Sequence, residues 1–342
     1  VSEGHIAFRE AQQGQPEALA RATVRVAEQL ADVGRSARAW PQSPTFVAMG
    51  ASYAACAVPV SLFARAGRSA HRAIASEIEH SESLAESATL VGVSQSGRSP
   101  ETIAALERVP LDHRWALTNV AGSPLAQAAD QALDLGTQAD SYASTTGLTA
   151  TIAGLSMFAR VALGSAVADA LAEWDGIAEQ VLATEDAVRD VIAEVVTAGA
   201  RVVGADVVAS GPSRAAAEAG ALLLREVCRV PSAASTTRNY LHGEMESAGG
   251  TLHVVIGAGR ELRLAEMLAQ AGHRTLLVTT APVVPSGTCH VVRLPEVTDP
   301  VRVVLETVVL QHLAAGTAEA RDLVIEDFVF TNDDTKVEIL AG

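Results

Sequence analysis

Leu90-Val91-Gly92-Val93-Ser94-Gln95-Ser96-Gly97-Arg98-Ser99-Pro100-Glu101-Thr102 runs from an apolar segment into a helix start. The run Leu90–Val93 is short and apolar on both faces, which predicts a buried parallel strand. Ser99 fits the N-cap position of the next helix and Pro100 its first position, where a missing N–H costs nothing. Between strand and helix, the hydroxyls of Ser94, Ser96 and Ser99, the Gln95 amide and free backbone N–H groups make a neutral cradle for a phosphate. Gly97 lets the backbone approach such a group closely. The cradle lies at the carboxyl end of a strand, where open α/β sheets bind ligands. The chain has no G-x-x-x-x-G-K nucleotide loop. Gly257-Ala258-Gly259 lacks the third glycine of a dinucleotide fingerprint and reads as a plain turn.

Strand–turn–helix units extend outward from this loop. Thr45–Met49, His71–Ala75, Trp115–Thr118 and Ala132–Leu135 read as further strands of the first half, with helices between them. A long helical region, Thr146–Thr197, leads into a second half of the same plan. There Asp206–Ala209 is a strand ending at Ser210-Gly211-Pro212-Ser213, followed by a helix over Arg214–Cys228. Strands at Leu252–Ile256, Thr275–Thr279 and Cys289–Leu294 follow, with helices at Glu261–Ala271 and Val301–Ala315. The expectation is an α/β protein with two tandem lobes, each a mainly parallel, five-stranded, doubly wound sheet flanked by helices. The expected segments are an N-terminal helical stretch 1–30, a first lobe 31–165, a connecting helix 166–198, a second lobe 199–320 and a C-terminal tail 321–342.

Composition narrows the class of function. Of the 342 residues 49% are hydrophobic but only 4% aromatic, which suits Ala- and Val-rich helices and buried strands. A net charge of −15 argues against nucleic acid as the main partner. No apolar run approaches the ~20 residues of a membrane helix, and Val1–His5 has neither the basic nor the apolar region of a signal peptide. Cys56, Cys228 and Cys289 are odd in number and scattered, so they predict buried thiols in a reducing cytoplasm, neither a disulfide frame nor a zinc site. The nine histidines have no metal-ligand spacing, and neither metal nor organic cofactor is expected. One lysine, Lys336, remains in a chain whose other basic residues are all arginine. A primary amine can deprotonate near neutral pH, attack a carbonyl and form a Schiff base, which a guanidinium cannot do.

Several stretches together make the chain resemble the sugar isomerase (SIS) family, above all the double-SIS isomerase domain of glucosamine-6-phosphate synthases. Arg9-Glu10 and Gln15–Leu19 resemble the opening helix of that domain. Gly50-Ala51-Ser52 resembles its first ligand turn, Ala75-Ser76-Glu77 its Ala-Ser-Glu stretch, and Ser94-Gln95-Ser96-Gly97 its phosphate loop, with Ser99 in the usual Thr position. Tyr142-Ala143-Ser144-Thr145 resembles the segment that places another serine near the sugar. In the second lobe, Leu224-Arg225-Glu226-Val227 resembles Leu-Lys-Glu-Ile, His242-Gly243 the His-Gly-Pro segment, and Asp334-Thr335-Lys336-Val337 the C-terminal tail with the reactive lysine.

The resemblance implies that Gly50, Ala51, Ser52, Ser94, Gln95, Ser96, Ser99, Tyr142 and Ser144 bind a phosphorylated sugar. It implies that His242 assists ring opening, Lys336 meets the open-chain carbonyl and Glu226 moves the proton between C1 and C2. It also implies a homodimer whose active site is shared between subunits. Plainer readings stand beside these: Glu226 as a solvated helix residue paired with Arg225 or Arg229, His242 as a loop histidine, Ser52 and Ser144 as helix caps. Glu244 stands where the family has proline, Leu223 where the synthase commonly has lysine, and Arg98 where it has glutamate. Arg98 is read as gripping a second anionic group or facing solvent, and Glu244 and Glu246 as possible contacts to a substrate amine. No N-terminal cysteine nucleophile leads the chain, so an isomerase working without a glutaminase domain is expected. The expected activity is aldose–ketose isomerisation of a hexose or amino-hexose 6-phosphate. The alternatives are an amino-sugar-phosphate deaminase, a fructosamine-phosphate deglycase and a phosphosugar-binding regulator.

Overall fold

In a computed structural model, residues 5–36, 39–78, 88–197, 202–330 and 334–337 are described. Residues 1–4, part of the segment inspected for a targeting signal, lie outside them. The chain forms two compact units. One comprises Ala11–Asp140, Ser144–Asp175 and Val329–Gly342; the other comprises Val1–Glu10, Ser141–Ala143 and Gly176–Phe328. Of the expected tail, residues 321–328 therefore stay with the second sheet, while the described residues 329, 330 and 334–337 belong with the first.

The first unit holds β1 (Thr45–Ala48), β2 (His71–Ile74), β3 (Leu90–Ser94), β4 (Arg114–Thr118) and β5 (Gln131–Asp134). They are parallel, in the order β2-β1-β3-β4-β5. β3, in the middle, is buried along its whole length, which is why its sequence is apolar on both faces. Helix Thr146–Ala162 is buried on nearly every side, as its Ala-, Leu- and Ile-rich composition requires.

The second unit holds β6 (Gly204–Ala209), β7 (Ser232–Thr236), β8 (Thr251–Ile256), β9 (Thr275–Thr279) and β10 (Cys289–Arg293). They too are parallel, ordered β10-β9-β8-β6-β7. Counted from the first strand of each unit, both sheets have the order 2-1-3-4-5, so the coarse repeat in the sequence is a repeat of topology. β7, Ser-Ala-Ala-Ser-Thr, is the one strand the sequence did not reveal: it is a sheet-edge strand with no apolar run. The helical region 146–197 is three helices, Thr146–Ala162, Val167–Ala172 and Ile177–Thr197. No described helix is long and apolar enough to cross a membrane.

Candidate active site

The order 2-1-3-4-5 makes the chain turn in opposite directions after β1 and β3, which opens a crevice at their carboxyl ends. Both expected ligand turns of the first unit lie there. Gly50, at φ 53°, starts the helix Gly50–Ala55 directly after β1, and Ala51 and Ser52 lie in its first turn. Ser94 ends β3 and its carbonyl accepts the Gly97 N–H at 3.1 Å, closing the loop. Gly97 has φ 65°, and a Cβ there would overlap the Ser123 side chain and lie 2.8 Å from Thr118 Oγ1. Gln95 is anchored by its carbonyl, which accepts from Asn119 N at 2.9 Å. The Ser52 and Ser94 hydroxyls make no hydrogen bond among the described residues, nor do the backbone N–H groups of Ser96 and Ser99. These donors are available to an anion.

Ser99 is the N-cap of the helix Pro100–Leu106, with Pro100 in its first turn. Its hydroxyl accepts from Thr102 Oγ1 at 3.0 Å and donates to Glu101 Oε2 at 2.8 Å. That hydroxyl is occupied in shaping the loop.

Asp140, which the sequence reading passed over, organises the other wall. Its carboxylate accepts from Ser144 Oγ at 2.6 Å, Thr145 N at 2.9 Å, Thr145 Oγ1 at 2.8 Å and Gly147 N at 3.0 Å, with Gln95 Nε2 at 3.5 Å. It caps helix Thr146–Ala162 where the helix dipole favours a negative charge. Because Ser144 gives its proton to Asp140, its oxygen faces other partners as an acceptor. A Cβ on Gly147 would stand 2.6 Å from Gln95 Cγ. The sequence signal for this hub was an Asp ahead of a long apolar helix, with Gly147 in its first turn.

Lys336 lies beside the phosphate loop. The next residue, Val337, donates its N–H to the Arg98 carbonyl at 2.9 Å and accepts from Arg98 Nε at 2.7 Å. Burial lowers the Lys336 amine below its ordinary value, and the neighbouring Arg98 charge lowers it further. The Nε of Arg98 is thus engaged with the tail.

Glu226, His242 and Tyr142 belong to the other unit. Glu226 lies near the end of helix Arg214–Cys228, roughly 18 Å along the axis from its start at 1.5 Å per residue. It is therefore remote from the crevice at the carboxyl ends of β6 and β8. The Glu226 side chain is open to solvent, yet burial pushes its carboxyl up to about 7. The carboxyl meets water, while the protein packed near it removes part of its hydration. Its expected partners are engaged elsewhere, Arg225 Nε with Ser232 O at 2.6 Å and Arg229 Nη2 with Asp327 O at 2.6 Å. Among the described residues Glu226 has no hydrogen-bond or ion-pair partner. His242 follows the short helix Thr237–Leu241, exposed, and its ring has no partner among the described residues. Glu244 accepts from Asn239 Nδ2 at 2.5 Å. The Tyr142 ring packs edge-on to Phe328 at 4.5 Å and to His5 at 5.4 Å. Among the described residues no group of three or more His, Cys, Asp or Glu stands where it could hold a metal.

Residues 43–161 match the family model for the SIS domain. No curated protein matches the chain. Its fold is similar to the C-terminal domain of glucosamine-fructose-6-phosphate aminotransferase from Francisella tularensis, at TM-score 0.81 and 19% identity over 94% of this chain and 98% of that one. It is similar to tagatose-6-phosphate ketose/aldose isomerase from Escherichia coli, at TM-score 0.77 and 17% identity over 98% of this chain and 96% of that one. Glucosamine-6-phosphate deaminase from Thermotoga maritima follows the same fold, at TM-score 0.69 and 19% identity over 92% of this chain and 98% of that one. The chain thus matches the SIS domain model over residues 43–161 and shares the overall fold of these solved structures.

Proposed function

We propose that the chain is a phosphosugar aldose–ketose isomerase acting on a hexose or amino-hexose 6-phosphate. The observation that carries this reading is the position of the only lysine: its neighbour is bonded twice to the phosphate loop, and its amine is lowered below the ordinary value. A phosphate anchored by Ser52, Ser94, Gln95 and Ser96 leaves the far end of a sugar to be worked on. His242 passes the ring-opening proton between the C1 hydroxyl and the ring oxygen. Lys336 hydrogen-bonds or captures the open-chain carbonyl. Glu226 takes the proton from one of C1 and C2 and returns it to the other through an enediol or enolamine, while a hydroxyl proton moves in the opposite sense. A carboxyl of pKa about 7 suits this exchange, since both its acid and base forms are populated at neutral pH. Binding energy from the phosphate goes into positioning. With the shared site that the family resemblance implies, the active species is a homodimer in this reading; a mixed dimer of Glu226→Gln and His242→Ala chains then regains activity that neither parent has.

The deciding test is incubation with a panel of hexose and amino-hexose 6-phosphates in deuterated water, followed by NMR. Deuterium entering at C1 or C2 without ammonia supports the isomerase. The Asp140–Ser144 acceptor beside the loop suits a hydroxyl or ammonium donor on the substrate, which gives a second reading, an amino-sugar-phosphate deaminase. Release of ammonia selects it. No exchange, with thermal stabilisation by a phosphosugar, refutes both and leaves a binding protein.

A further inference from the structure

The tail reaches the phosphate loop through one residue of each. Val337 is pinned at both its N–H and its carbonyl, and both partners belong to Arg98, 239 positions earlier. Pinning both polar groups of one residue fixes its neighbour Lys336 to within the play of a single peptide. The loop side of the clip is also built in. Gly97 at φ 65° turns the chain so that Arg98 N donates to Ser96 Oγ at 3.3 Å, and the Arg98 carbonyl then faces the tail. Nε of a guanidinium is a donor held in the plane of the group, suited to a single fixed carbonyl. A carboxylate at this position would repel the Val337 carbonyl and would stabilise a charged Lys336.

We propose that Arg98 is the positioning residue for Lys336: it clips Val337 to the phosphate loop, so that the amine and the phosphate donors are held by the same turn. The consequence for chemistry rests on the isomerase reading above. A carbonyl has to meet the amine at a set distance from its own phosphate, and the clip supplies that distance. It also places a fixed positive charge beside the amine, which adds to burial in favouring the neutral, nucleophilic form.

The single lysine makes the clip measurable without any substrate. The pH at which an amine-reactive label half-modifies Lys336, read on its peptide by mass spectrometry, reports its titration. In the wild-type chain this midpoint lies below 10.5. Arg98→Ala moves it up toward 10.5 and speeds exchange of the Val337 amide. Arg98→Gln, which keeps a donor and drops the charge, retains slow exchange and moves the midpoint part of the way. With a turned-over sugar phosphate, Arg98→Ala lowers kcat more than about tenfold through lost positioning, while affinity for inorganic phosphate changes less than about threefold. An unchanged Lys336 midpoint and unchanged Val337 exchange in Arg98→Ala overturn the proposal. So does a variant whose loss is confined to phosphate affinity, because Arg98 then grips the anion itself. If the midpoint and exchange shift as stated but the wild-type chain turns over no sugar phosphate, the clip stands and the isomerase reading falls.

Discussion

At the scale of the residue, charge state separates the groups of the two units. In the proposed mechanism Glu226 has to be ionised to accept a carbon-bound proton, and burial pushes its carboxyl up to about 7. In the proposed isomerase the rate is therefore expected to rise with pH through about 7, as a limb in the kcat profile of the wild-type chain. Glu226→Gln removes the limb and lowers kcat by about 10²–10⁴-fold, with phosphate binding retained. Lys336→Arg keeps a positive charge and loses the amine; if the proposed carbonyl capture holds, borohydride is expected to trap a substrate adduct on the wild type and none on this variant. Asp140→Asn has a different signature. It offers Ser144 a poorer acceptor, or turns an N–H toward it, so KM for the sugar phosphate rises severalfold while affinity for inorganic phosphate is unchanged.

At the scale of the element, backbone conformation shapes the site. The phosphate loop depends on Gly97 in the left-handed region against Ser123, where any side chain meets both strain and overlap. Gly97→Ala is expected to cost about 1–3 kcal/mol in stability and to abolish inorganic phosphate binding by calorimetry; a variant that binds normally would show that the loop tolerates another shape. The helix bearing Glu226 ends differently, with Arg229 at φ 55° and Val230 N donating to Leu224 O at 3.0 Å. This left-handed turn sends the chain into β7 without a glycine. It stops the helix two residues past Glu226 and leaves that residue in an accessible last turn.

At the scale of the whole molecule, two sheets of one topology carry different chemistry. The second unit buries Glu306, which accepts from Ser213 Oγ at 3.0 Å and Arg302 Nε at 3.1 Å, while its Oε2 has no hydrogen-bond partner among the described residues. Burial pushes this carboxyl up to about 7, against the opposing pull of Arg302 and Ser213. Below its ordinary value of 4.5 both folded and unfolded states are protonated and no penalty arises. Between 4.5 and 7 the unfolded chain ionises first, so this group takes stability away as pH rises, and above about 7 the loss is complete. Glu306→Gln, measured by denaturant unfolding, should therefore match the wild type most nearly below pH 4.5 and exceed it by about 3 kcal/mol above pH 8.

The sequence by itself determined most of the scaffold and the residue types at the site. Apolar runs such as Leu90–Val93 report burial on both faces, while Ser99 and Pro100 are local cap chemistry, so both were legible where they stand. Lys336 was legible because it is the only amine side chain in an arginine chain. β7 was not, since a polar sheet-edge strand is specified by its hydrogen bonds to β6 and has no pattern of its own. Asp140 as a hub, the engagement of Arg225 and Arg229 away from Glu226, and the Arg98–Val337 clip were decided only by tertiary structure. Each depends on partners brought together by folding, across up to 239 positions, and no local propensity encodes which donor reaches which carbonyl.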